Sequence, residues 1–233
     1  MPDSLTAHYN TIFIIICQSF FILASTYIFK NYTKHRDIKL RLNYISLFHS
    51  LASSFFFVYT YINYGLPDYD TDIFTFYGKL AFYFSMIYYI TDIPNCLKLN
   101  NMMYFYHHLI TICIIVIMAI TENYAGFFRA MFVAESSGAI VNLRNILFKT
   151  YGNSIPKFFQ WVLIAVYFAF RGILGFYFSY EYLLWLFTME LYTFRTFLHI
   201  LSFIGTSFIV FVSCYWALLM VKQQIKIDKK KNY

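Results

Sequence analysis

Residues 103–121 read MYFYHHLITICIIVIMAIT, an apolar run whose only ionisable members are the adjacent His107 and His108. A helix needs about 20 mainly apolar residues to cross a bilayer core, so this one segment is long enough to span. Ionisable residues at membrane depth cost roughly 2.5–3.5 kcal/mol each for Arg, Lys or Asp at mid-helix, and therefore mark polar interiors or sites. Two questions follow: how many such runs the chain has, and what the histidines do.

The 233-residue chain is 60% hydrophobic and 24% aromatic, with only 12% charged residues. Soluble domains carry about 25% charged residues, so a soluble fold is excluded. Further runs of spanning length are Thr11–Phe29, Tyr44–Tyr64, Phe76–Ile93, Ala125–Phe148, Phe158–Phe178 and Phe197–Val221. No Pro/Gly/Ser-rich linker separates them. The expected fold is all-α, a polytopic membrane helical bundle with about seven transmembrane helices. The apolar stretch Tyr182–Phe194 is shorter and interrupted by Glu190, and reads as interfacial or re-entrant. Counted as an eighth span, it would put both termini on one side.

Charge orients the bundle. The net charge is +7, but the cations cluster at Lys30, Lys34, Arg36, Lys39 and Arg41, and at Lys222, Lys226, Lys229, Lys230 and Lys231. Both clusters flank apolar runs, where basic residues set topology and meet anionic lipid headgroups; no nucleic-acid partner is expected. The 65–75 loop carries Asp68, Asp70 and Asp72, whereas Lys98, Lys149 and Lys157 mark loops on the basic side. The positive-inside rule then predicts an N-terminus outside or lumenal and a cytosolic C-terminus. Residues 1–40 read as an N-terminal span and basic loop, 41–222 as the main domain, and 223–233 as a basic cytosolic tail. Met1–Asn10 lacks a basic n-region and a small-residue cleavage site, so the first run reads as a retained span. Cys17, Cys96, Cys113 and Cys214 are too scattered for a disulfide framework or zinc site, so no metal and no cofactor is expected. The terminal Lys230-Lys231-Asn232-Tyr233 resembles a di-lysine endoplasmic-reticulum retrieval signal.

The polar residues inside spans are His49, Asp92, His107, His108, Arg129, Glu135, Asn142, Arg144 and Arg171. With a 1.5 Å rise per residue, the topology predicts that His49, Asp92, His107, His108, Asn142 and Arg144 share a layer in the cytosolic half, with Glu135 nearer the middle. Pro94 is expected to end the third helix just after Asp92. Thr111 is four residues from His107 and three from His108, within reach of either ring. The two histidines point about 100° apart, so one is expected to act as acid, base or nucleophile while the other orients. Glu135 and Asn142 share a face with Gly138 between them, permitting close helix approach. Arg144 projects toward the interface, where it can snorkel or meet a phosphate. Arg171 is expected to satisfy backbone or glutamate groups near the outer side.

Taken in order, Tyr88-Tyr89-Ile90-Thr91-Asp92, Tyr106-His107-His108-Leu109, Ala134-Glu135-Ser136-Ser137 and Asn142-Leu143-Arg144-Asn145-Ile146-Leu147 resemble the TLC domain (TRAM, Lag1 and CLN8 homology). Leu47-Phe48-His49-Ser50 fits that family's early His-bearing helix and Phe170-Arg171 a later Arg-bearing one. The resemblance covers about Arg41 to Lys222 and implies a helical bundle that handles lipid. In the more distantly similar ceramide synthases the His pair serves acyl transfer from acyl-CoA to a sphingoid amine, which would make His107 and His108 catalytic. Those enzymes follow the pair with an Asp-x-x-Asp element, where this chain has Met131-Phe132-Val133-Ala134-Glu135.

The resemblance therefore implies a protein that binds, senses or regulates membrane lipids, with lipids as its partners. His49, Asp92, Thr111, Glu135, Asn142, Arg144 and Arg171 would line or support the site. The alternative is an acyl-CoA-dependent sphingoid N-acyltransferase acting through His107 and His108. A channel or transporter is the third reading, disfavoured because neither a repeat between halves nor paired Gly/Pro-broken spans is visible.

Overall fold

A backbone in hydrocarbon must satisfy its hydrogen bonds within itself, so spanning segments of one chain become helices. In the computed structural model, which describes residues 4–32, 38–69, 76–152, 155–190 and 192–230, seven helices follow one another. They are α1 (Ser4–Tyr32), α2 (Ile38–Tyr64), α3 (Phe76–Lys98), α4 (Met102–Ile120), α5 (Tyr124–Tyr151), α6 (Lys157–Leu186) and α7 (Phe194–Lys230). The chain is a multi-pass integral membrane protein on helix length and hydropathy. By these measures α2, α4, α6 and α7 are long and apolar enough to cross a membrane, and α1 holds a shorter apolar stretch, Ile14–Tyr27. Helices α3 and α5 are long enough but carry more polar residues, the ones that build the site. Lys34, Arg36, Asp70, Asp72 and the final Lys231-Asn232-Tyr233 lie outside the described residues.

The bundle is organised around α5. Its most extensive packing is on α2, at a close approach where a Cβ on Gly138 would stand 2.8 Å from Ser50 Oγ. Helix α3 bridges α4, α2 and α1, and α7 packs on α4 and α6. The core is largely aromatic: Phe21 of α1 meets Phe84 and Tyr88 edge-on, and Phe57 of α2 packs against Phe127 and Phe128 of α5. Large apolar side chains also point outward, including Leu23, Phe55, Ile62, Phe158 and Phe211. That is the pattern of a surface solvated by lipid tails.

Two local expectations need correction. Helix α3 does not end at Pro94 but continues to Lys98. The proline lacks one N–H, yet the next turn is held: Asn95 Nδ2 donates to Asp92 Oδ1 at 3.1 Å. The Tyr182–Phe194 stretch is neither a re-entrant segment nor an eighth span. Residues Tyr182–Leu186 complete α6, and a short turn leads to α7 at Phe194. Thr193 Oγ1 accepts from Thr196 N at 3.0 Å, an N-cap that starts the last helix. Helix α6 reaches this far because Ala169–Leu174 widens into one π-helical turn and the α-helix then resumes.

Candidate functional site

Two carboxylates, each beside an imidazole, sit among the buried residues between α2, α3, α4 and α5. Asp92 of α3 accepts from His108 Nε2 of α4 at 2.8 Å, and both are largely buried. A carboxylate is an acceptor, so His108 carries its proton on Nε2; its Nδ1 has no hydrogen-bond partner among the described residues. Glu135 of α5 accepts from Tyr89 OH at 2.8 Å and from Ser50 Oγ at 3.1 Å. His49 Nδ1 lies 3.2 Å from the same carboxylate, close but poorly aligned for a hydrogen bond. The other nitrogen of His49 is 3.2 Å from Ser53 Oγ. The His49 ring stacks on Tyr88 at 3.9 Å, and Tyr89 meets His108 edge-on at 5.0 Å. The two acid–imidazole pairs are thus cemented by adjacent tyrosines.

The histidines of the α4 pair have different surroundings. His108 is anchored to Asp92, whereas the His107 ring packs edge-on to Trp216 at 5.4 Å and lines two cavities. The first is a polar cleft of about 550 Å³ whose walls include Tyr88, Tyr89, His107, His108, Glu135 and Asn142. The second is an apolar chamber between α4, α5, α6 and α7, walled by Ile114, Ile115, Met118, Phe127 and Val133. Tyr89, His107, Ala134 and Arg171 line both, so the two spaces adjoin at these residues.

Arg171 stands at that junction, at mid-bundle rather than near the outer side. The π-helical turn carries it, and such turns re-aim a side chain within a helix. Its guanidinium donates to Ser137 Oγ, to Ser213 Oγ at 3.0 Å and to the Ala134 carbonyl at 3.0 Å. Among the described residues it bonds no glutamate, whereas Glu181 accepts from Arg129 Nε at 3.2 Å. At the end of the chamber near the α4–α5 turn, Arg129 Nη1 donates to the Pro67 carbonyl at 2.6 Å and its guanidinium lies 4.4 Å over the Tyr69 ring. Tyr69 stacks on Trp185 at 5.0 Å, closing that end with aromatic surface. Burial raises the Tyr69 phenol above its ordinary pKa, so this closure stays uncharged at the hydroxyl.

The predicted residues are therefore brought together unevenly. His107, His108, Glu135, Asn142 and Arg171 line the polar cleft, with His49 and Asp92 one bond behind it. Arg144 opens into a neighbouring cleft. The Thr111 hydroxyl donates to the His107 carbonyl at 2.8 Å, and the residue lines the chamber beside His107. Sequence reasoning did not assign site roles to Tyr88, Tyr89, Ser50, Ser137 and Ser213. A signal existed for the tyrosines, which stand four and three residues before Asp92 on one helix and need partners for their hydroxyls when buried.

Donors that could hold a metal also meet here. Among the described residues Asp92, Cys96 and His108 place their ligand atoms within 4.8 Å of one another. The scattered cysteines gave no hint of this, since Cys96 reaches Asp92 by i,i+4 spacing and His108 comes from the next helix. The Asp92–His108 hydrogen bond accounts for the approach of those two groups without an ion.

The asymmetry of the pair predicts unequal mutants. His108→Ala removes a charge-assisted bond, worth about 1.5–3 kcal/mol, and leaves Asp92 only its Asn95 and Cys96 partners on its own helix. His107→Ala removes aromatic packing alone. Thermal midpoints in detergent should fall clearly for His108→Ala and little for His107→Ala; equal shifts would refute the anchoring role.

A comparison with curated proteins finds no match. Residues 39–222, the stretch that carries α2 to α6 and most of α7, match the TLC domain described as TRAM_LAG1_CLN8, and the chain belongs to the TLC-domain family.

Proposed function

We propose that this TLC-domain membrane protein binds a membrane lipid and through it senses or regulates lipid composition. A tail would occupy the chamber, and the polar end would meet His107 and Arg171. The observation that carries this reading is the continuity of an apolar chamber with a polar cleft. From His107 to Met118 the wall rises eleven residues on α4, about 16 Å of helix at 1.5 Å each. An apolar wall of that length suits a hydrocarbon tail and offers an ion nothing. The test is the lipid retained by the purified protein, expected at about one extractable molecule per chain and lost when Ala130→Trp fills the chamber. A wild type stripped clean by the same wash would sink the proposal.

Acyl transfer is the second reading, favoured by one observation. Asp92 stands as a second carboxylate beside the His pair, supplied by α3 rather than by the missing Asp-x-x-Asp element. In that reaction His107 would take the amine proton as the amine attacks the acyl-CoA thioester, and the thiol of CoA would leave. Lipidomics of cells expressing wild type or His107→Ala decides: N-acyl products present only with the wild type favour transfer.

The same reading puts the end of the bundle bearing Lys39, Lys98 and Lys149 in the cytosol, and places the protein in the endoplasmic reticulum through Lys230 and Lys231. Replacing both of these lysines with serine should move the imaged protein outward; an unchanged distribution removes the retrieval signal.

A further inference from the structure

Arg144 is 3% exposed, yet its Nε and Nη2 have no hydrogen-bond partner among the described residues. A buried guanidinium with two idle donors is costly unless something accepts them. Its remaining contacts are weak: Nη1 stands 3.5 Å from Gln223 Oε1, and the group lies 4.6 Å over the Phe148 ring. That stacking fixes the guanidinium plane without satisfying its N–H groups.

The guanidinium lines a cleft of about 760 Å³ formed by the start of α2, the ends of α3 and α5, and the late turns of α7. Lys39, Asn43, Asn145, Lys149 and Gln223 line it too, and its described lining contains no aspartate or glutamate. Three cations and three amides without a carboxylate form an anion's environment. Arginine suits a phosphate because its fork presents parallel N–H donors to two oxygens, and the amides add neutral donors.

From these observations we propose that the Arg144 cleft is a binding site for a phosphate ester, with Arg144 as the buried anchor and Lys39 and Lys149 as the outer cations. The site goes beyond the lipid reading and does not depend on the chamber holding a tail. Two sources share this chemistry, the headgroup of an anionic phospholipid and the phosphates of a nucleotide such as coenzyme A. Tyr104 lines both this cleft and the polar cleft of His107, so a molecule anchored here can extend toward the histidines.

The experiment uses the full chain in neutral detergent and measures binding of two soluble probes, dihexanoyl phosphatidic acid and coenzyme A. At least one should bind wild type, and Arg144→Gln should weaken it by about tenfold or more, as expected when a buried charge-paired anchor is truncated. Binding of phosphatidic acid alone identifies a headgroup site, and binding of coenzyme A alone a nucleotide site; either supports the proposal. Failure of both probes on wild type overturns it, as does unchanged affinity in Arg144→Gln. Should Arg144→Gln not fold, the exposed Lys149→Gln takes its place. Wild-type affinity should then fall with added salt and with loss of Lys149; affinity indifferent to both overturns the site.

Discussion

Glu135→Ala is expected to be the most destabilising single change at the site, lowering stability by about 3 kcal/mol or more, since each orphaned buried partner costs about 1–3 kcal/mol. Three groups lose their acceptor or counterpart at once: Tyr89 OH, Ser50 Oγ and His49 Nδ1. All three are buried, His49 and Ser50 on α2 and Tyr89 on α3. Glu135→Gln keeps acceptor oxygen and shape, so it should recover much of the loss. The check is the thermal midpoint of detergent-solubilised protein followed by size exclusion. A Glu135→Ala midpoint equal to wild type would mean that the α2–α3–α5 junction does not hang on this carboxylate.

Ala130→Trp should have the largest effect on ligand. Ala130 lines the chamber and is not fully buried, so an indole there projects into open volume. Overpacking a filled core costs about 1–3 kcal/mol, but filling a void replaces missing contacts and should leave the fold intact. Retained lipid should drop about tenfold or more, the change that removing 1.4 kcal/mol of binding produces. Ala130→Ser serves as a control that adds an oxygen and little volume. A folded Ala130→Trp that retains as much lipid as wild type would place the lipid elsewhere, on the outer surface of the bundle.

The helical architecture was open to sequence reading because hydrophobic length decides it. The run around His107 and six others reappear as helices, and Lys98, Lys149 and Lys157 fall at helix ends. The misreadings came where local rules met tertiary context. Pro94 usually stops a helix, but Asn95 and Cys96 both reach back to Asp92 and hold the next turn. Hydrophobic length alone ended α6 at Phe178, before Glu181, and Glu190 set Tyr182–Phe194 apart, although the helix runs on to Leu186. Within the site, counting residues along spans pointed to His49, Asp92 and the His pair as one group. Their partners did not follow from it, because lateral convergence depends on how helices pack. Arg171 was open to backbone or glutamate partners, and the bundle gives it the Ala134 carbonyl, Ser137 and Ser213, while Glu135 goes to Tyr89 and Ser50.

On the proposed reading a lipid tail lies inside the bundle beside His107. A fatty acid with a photoactivatable group along its chain, fed to cells expressing the full chain, reports that position directly. After irradiation and digestion, the adducts should fall on chamber residues such as Ile115, Met118, Phe127 and Val133, and should disappear in Ala130→Trp. Adducts confined to outward-facing residues such as Phe55, Ile62 or Phe211, and unchanged in Ala130→Trp, would contradict it.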